Sequence, residues 1–197
     1  MQADRAFRRQ IRARHPHLRR ALLADARIHS AHRGRRLDSA SGPRVALEAL
    51  RLMWESDSFL GQSLYRLKAR LQALGVPILP RICHRLAMVS AQIQIGDPVV
   101  IQPGVHLAHG QIVIDGIVEV GSGTTIFPFV TIGLVAGQFV GPTIGPQVSI
   151  GSGAKVLGPV TVGARAKVGA NAVVLEDVPA EATVVGAPAR VVGERGG

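Results

Sequence analysis

The sequence predicts a mainly β protein, a coil of short parallel strands built on six-residue repeats and preceded by an α-helical N-terminal region. Two observations carry that expectation. Ile144, Ile150, Val156, Val162, Val168 and Val174 recur at every sixth position, and four of the six are followed by glycine. A helix repeats apolar residues every three or four positions and a half-buried strand every two, so a sustained period of six fits neither. It fits a solenoid in which each hexad forms one flat side and sends one aliphatic side chain into a central stack. Upstream, Leu60, Leu64, Leu67, Leu71 and Leu74 alternate steps of four and three, the signature of one packed helical face.

Composition limits what else the chain does. Its net charge of +10 is concentrated at one end: residues 1–36 carry eleven arginines against Asp4 and Asp25, leaving about +1 for the rest. No charged residue falls between positions 120 and 154, yet Pro128, Pro142, Pro146 and many glycines interrupt that stretch, which excludes a membrane-spanning helix. The N-terminus lacks the apolar run of a secretory signal. One cysteine, Cys83, permits no internal disulfide and fits a reducing, cytoplasmic compartment.

In chain order, residues 1–43 read as a basic, partly helical arm and linker. Phe7, Ile11, Leu18, Leu22 and Leu23 form a sparse apolar stripe, and Pro16 breaks any helix near His15. The arm reads either as a patch for an anionic partner or as a solvated helix packed on the subunit; no interleaved aromatics or nucleic-acid motif favours nucleic acid. Residues 44–92 read as an α-helical region. One helix runs from Arg44 to about Leu74 and ends at Gly75 and Pro77; a shorter one covers residues 81–92 with Ile82, Leu86 and Val89 on one side. Residues 93–197 hold the repeats. Their phase slips by one between Leu107 and Val120, and a longer interruption separates Ile132 from Ile144. GLVAGQFVGPT, which fills that interruption, reads as a protruding loop or as two degenerate hexads.

These hexads resemble those of the hexapeptide-repeat acyltransferases, and FLGQSLYRLKARL, with Tyr65 and Arg66, is similar to the segment leading into the first coil of serine acetyltransferases. VPAEATVVGAPARVVG is similar to the closing segment of the same enzymes. The resemblance implies a left-handed parallel β-helix, acyl transfer from acetyl-CoA or another acyl-CoA to a hydroxyl or amine of a small acceptor, and a homotrimer with sites between subunits. The short helical region leaves the pairing of trimers into hexamers open. The chain stops at Gly197 without the family's isoleucine-ended tail, so no complex with a cysteine synthase is expected. On the grounds given above, neither a membrane nor a nucleic-acid partner is expected.

Acyl transfer needs a base near the acceptor, and neutral histidine suits that task. LAHGQIVI resembles the serine acetyltransferase motif built on Leu-Asp-His, which assigns His109 as general base. The family's preceding aspartate is Ala108 here. Its orienting aspartate fifteen positions upstream is Gln94, which can accept a hydrogen bond but supplies no charge to imidazolium; Asp97 is a candidate substitute. Where the family carries Asp-Arg-His-Pro, this chain has Phe139, Val140, Gly141 and Pro142, so the cation that would meet a serine carboxylate is gone. That substrate segment is apolar, which points to an acceptor or acyl group less polar than serine and acetyl. Gly133, Ala154, Lys155, Lys167 and Arg190 are coenzyme candidates by position, with the lysines equally readable as exposed outward residues. His106 and His109 lie only three apart and His84 precedes the coil, so no metal is expected. The alternative to an enzyme is a catalytically weak scaffold whose basic arm binds an anionic partner.

Overall fold

The computed structural model describes residues 10–35, 37 and 40–192; the remaining positions, including Phe7 and most of the first arginines, lie outside the described residues. Residues 10–14 are helical, Pro16 ends that turn, and α1 (Leu18–His32) follows. The expected single helix from Arg44 to Leu74 is two helices, α2 (Gly42–Glu55) and α3 (Asp57–Ala73). Ser56 separates them: its extended backbone ends α2, and its hydroxyl accepts from Phe59 N at 3.4 Å to cap α3. α4 (Leu79–Ala91) ends at Gln92, whose left-handed conformation turns the chain into the repeats.

Three sheets form a five-coil parallel β-helix. The first stacks β1 (Ile93–Ile95), β4 (Ile112–Ile114), β7 (Thr131–Gly133), β10 (Lys155–Leu157) and β13 (Val173–Val174). The second stacks β2 (Val100–Ile101), β5 (Ile117–Val120), β8 (Val140–Ile144) and β11 (Thr161–Val162). The third stacks β3 (His106–Leu107), β6 (Thr125–Ile126), β9 (Ser149–Ile150), β12 (Lys167–Val168) and β14 (Thr183–Val185). β15 (Arg190–Val192) then pairs antiparallel to β14 and closes the coil. Ile95, Ile101, Leu107, Ile114, Val120, Ile126 and Ile132 continue the aliphatic stack, all buried, each side chain worth roughly 1.5–3 kcal/mol of transfer free energy.

The glycines after the stacked aliphatics have a packing role. A Cβ on Gly151 would stand 2.7 Å from Ala170 N, and one on Gly145 2.8 Å from Ala164 N. Each of these glycines lets its turn pass directly over the next coil. The left-handed corner positions are divided between glycine and Gln111, Phe129, Gln147, Arg165 and Asn171.

Both phase breaks have a structural cause. The slip after Leu107 is one extra residue between β3 and β4: five residues, 108–112, separate Leu107 from Val113, against four, 127–130, between their partners Ile126 and Thr131. Ile132 and Ile144 occupy successive sides of one coil, in β7 and β8, so residues 134–139 form a loop at the edge joining the first sheet to the second.

The helices cap the open end of the coil. Strands of the first coil donate to the second, as Gly96 N does to Ile114 O at 2.8 Å, but have no coil before them. α3 supplies the missing partners. Gln62 Nε2 donates to Val105 O at 3.0 Å, Tyr65 Oη to Val99 O at 2.8 Å, Arg66 to the carbonyls of Ile101 and Gln102, and Lys68 Nζ to Ile95 O at 2.6 Å. Asp25 of α1 accepts from Gly104 N at 2.8 Å and pairs with Arg66 through two bonds, both side chains being buried. This need reverses the expected orientation of α3: its fully buried face is Phe59, Gln62, Tyr65, Arg66, Lys68 and Ala69, whereas Leu67 and Leu74 are exposed.

Candidate functional site

His109 stands exposed in the lengthened turn between the third and first sheets. Its neighbours fix that turn. Ala108 N donates to Ile126 O at 2.9 Å and Gln111 N to Ala91 O at 3.1 Å, so the end of α4 holds the turn from outside. Gly110 is required there, since a Cβ would collide with the Ala91 carbonyl oxygen. Gln111 O accepts from Phe129 N at 2.9 Å, which sets the exposed rings of Phe127 and Phe129 on the next corner along the same edge.

The two candidate partners of His109 are engaged elsewhere. Gln94 lies on the outer face of β1, in register with Val113, and its Nε2 lies 4.0 Å from Met88 Sδ. Asp97 is ion-paired to Lys68 at 3.0 Å; burial works to raise its pKa, but Gln72 and Lys68 hold it below the usual carboxylate value. Among the described residues, neither makes a hydrogen bond to His109.

His106, one strand residue before Leu107, faces outward and is covered by α1. His32 stacks on it at 3.9 Å between ring centroids and His29 meets it edge-on at 4.4 Å. Burial lowers His106 to about 3 and His29 to about 4, so both are neutral near pH 7. Among the described residues, no group of three His, Cys, Asp or Glu side chains is placed to hold a metal ion.

The coenzyme candidates divide between two faces. Gly133 and Lys155 lie on the first sheet, where Lys155 Nζ donates to Phe129 O at 2.7 Å. Lys167 and Arg190 lie on the third, Arg190 ion-paired to Glu176 at 3.6 Å. Ala154 does not fit the role given it: its side chain is fully buried in the aliphatic stack, its N–H donates to Gly151 O and its carbonyl accepts from Thr131 N.

Phe139 is 81% exposed and Val140 half-exposed, on the edge joining the first sheet to the second. Gly141 is packed instead, with space for no side chain, since a Cβ would meet Val118 Cγ2 at 2.7 Å. Phe139, Leu134 and Ile117 form the apolar side of a cleft of about 680 Å³, with Arg12, Asp97 and Asp115 as its charged side chains. Within one copy, this cleft and His109 lie on opposite edges of the first sheet. Reasoning from sequence missed Arg12 and Asp115, and the capping residues Asp25, Gln62 and Lys68. The signal for one of them was present, as Asp25 is the single acid among the arginines of residues 5–36.

The family model "Bacterial transferase hexapeptide (six repeats)" matches residues 141–176. No curated protein gives a significant sequence match. Among solved structures, the chain is similar to soybean serine acetyltransferase, with 30% identity, a TM-score of 0.74, and 89% of this chain and 69% of that one covered. It is similar to the Vibrio cholerae serine acetyltransferase at 29% identity and a TM-score of 0.75, covering 93% and 69% of the two chains. The Brucella abortus serine acetyltransferase matches at 31% identity and a TM-score of 0.66, and the chain spans only 58% of that protein's length. The chain belongs to the serine acetyltransferase-like group of the hexapeptide-repeat, left-handed β-helix acyltransferases.

Proposed function

We propose that this protein is a coenzyme-A-dependent acyltransferase that moves an acyl group to a hydroxyl or amine of a small acceptor, with His109 as general base and an acceptor site altered from that of serine acetyltransferases. The observation that carries the reading is His109 itself: exposed, in a turn braced by Ala91 and Gly110, at the position where the family resemblance puts the base. In the reaction, neutral His109 would take the acceptor proton as its oxygen or nitrogen attacks the thioester carbonyl, and return it to the departing thiolate. Gln94 carries no negative charge to stabilise the imidazolium, and among the described residues it makes no hydrogen bond to the ring.

The acyl-CoA would lie along the His109 edge, where Phe127 and Phe129 offer apolar surface and Lys155, Lys167 and Arg190 are cations for its phosphates. A site using both His109 and Phe139 takes them from two copies, because one copy holds them on opposite edges of the first sheet. The exposed stripe Ile82, Leu86 and Val89 on α4, beside the His109 turn, supplies apolar surface for such a homotrimer. A soybean relative has been solved with serine bound. In this chain no arginine or histidine stands in segment 139–141; Arg12 lines the cleft beside it, and the apolar Phe139, Leu134 and Ile117 favour a less polar acceptor.

Thiol release from acetyl-CoA, measured with a panel of hydroxyl and amine acceptors, tests this reading. His109→Ala is expected to lower kcat by roughly 10²–10⁴. Equal rates in the two proteins remove the base assignment, and an absence of acetyl-CoA binding or turnover favours the scaffold reading. Free L-serine outperforming every apolar acceptor removes the altered-site claim.

A further inference from the structure

α2 is apolar on two faces. Val45, Ala49 and Leu52 point inward and are buried, as the packing of α1 and α3 requires. On the opposite side Leu47, Leu50 and Trp54 form a second, largely exposed stripe, at 70%, 65% and 92% exposure. A tryptophan and two leucines left in water at i, i+3 and i+7 on one helix are not explained by the fold. Arg44 and Arg51 flank the stripe; Arg51 is paired with Glu55, and Arg44 has no ion pair among the described residues. α1, which packs beside α2, adds to this end a run of arginines, seven against Asp25 across residues 10–35.

We propose that the outer face of α2 docks this protein onto an anionic lipid surface, with Leu47, Leu50 and Trp54 entering the headgroup boundary and the surrounding arginines meeting lipid phosphates. The composition of the stripe fits that level of a bilayer, where tryptophan and leucine sit with basic residues at the rim. Charge fits an anionic surface: the two acids of α2, Glu48 and Glu55, are paired with Arg35 and Arg51, which leaves an arginine excess at this end. Area points the same way, because a specific protein interface buries roughly 800 Å² per partner, more than three side chains on one short helix offer. No helix of the described residues is long and apolar enough to cross a membrane, so the contact is peripheral. It departs from the sequence-based expectation of no membrane contact, which excluded a membrane-spanning helix and did not weigh the outer face of α2.

Trp54 is the single tryptophan of the chain, so its emission reports on this face directly. Full-length protein is titrated with vesicles of pure phosphatidylcholine and with equimolar phosphatidylcholine and phosphatidylglycerol. Expected are a blue shift with the anionic vesicles only, weakened by added salt, and partitioning reduced at least about tenfold in the Leu47→Ser, Leu50→Ser double variant. Both leucines are exposed, and an unchanged thiol-release rate or circular dichroism spectrum checks that the variant is folded. The proposal is overturned by no shift on anionic vesicles, by equal shifts on both, or by equal sedimentation of variant and wild type, which would leave only arm electrostatics. It is also overturned if emission of the protein alone is already that of a buried tryptophan and moves red on dilution, the result expected of a second copy over the stripe.

Discussion

The two ends of the aliphatic stack solve the same problem in different ways. From β4 to β10, each strand lies between parallel strands of the coil before and the coil after it, and the sequence needs only an aliphatic residue every sixth position and a glycine where coils touch. The first coil has nothing before it. Its orphaned backbone groups are met by Asp25, Gln62, Tyr65, Arg66 and Lys68, buried polar side chains on two helices. Repetition thus makes the body of the coil robust through many equivalent contacts, while its first end depends on a few groups that must all be in place.

The largest expected effect breaks the cap. Arg66→Ala leaves the Asp25 carboxylate buried without its cation and frees the carbonyls of Ile101 and Gln102, which should cost about 3–5 kcal/mol. Urea unfolding followed by circular dichroism measures this. A loss below about 1 kcal/mol would mean that water replaces the guanidinium easily and that the cap is not specified by this pair.

Acid should act on the same end. His15 and His29 lie in the cap and His106 on the first coil against it, and burial holds them at about 4, 4 and 3. The unfolded chain takes up these protons near pH 6.5, the folded one only below its lowered values. Stability from each group is therefore complete above about 6.5 and lost as pH falls toward 3, by up to about 1.4 kcal/mol per pH unit per group. Asp25, raised by burial, works in the opposite sense near its own titration. Helical ellipticity should fall on acidification before the β signal does; simultaneous loss would show that cap and coils unfold as one unit.

What could be read from the sequence follows the same division. The period of six fixes the stack because every coil faces the same environment, and Ile144 through Val174 repeat that environment without change. The cap is not periodic. Tyr65 and Arg66 were visible only through family resemblance, and the leucine stripe of α3 suggested the wrong buried face because hydrogen-bond demand from the first coil outweighed apolar patterning there. At the candidate site, both rhythm breaks were legible as positions. Their consequences were not: that Asp97 would pair with Lys68, that Ala154 would face inward, and that His109 and Phe139 would fall on opposite edges all depend on how the coils stack.

The smallest of these effects probes the regular end. Gly151→Ala places a methyl 2.7 Å from Ala170 N and 2.9 Å from Val168 O, both backbone atoms held by the coil ladder. Neither can swing aside as a side chain would, so two coils must separate locally, at a cost of about 1–3 kcal/mol. Gly42→Ala is the matching control, at the start of α2 with nothing within 4 Å of the new methyl, and should change stability by no more than about 0.5 kcal/mol. If Gly151→Ala is as harmless as Gly42→Ala, glycine in these hexads serves chain flexibility and not close approach. If it costs as much as Arg66→Ala, the regular coils are no more tolerant than the cap, and the contrast between the two ends disappears.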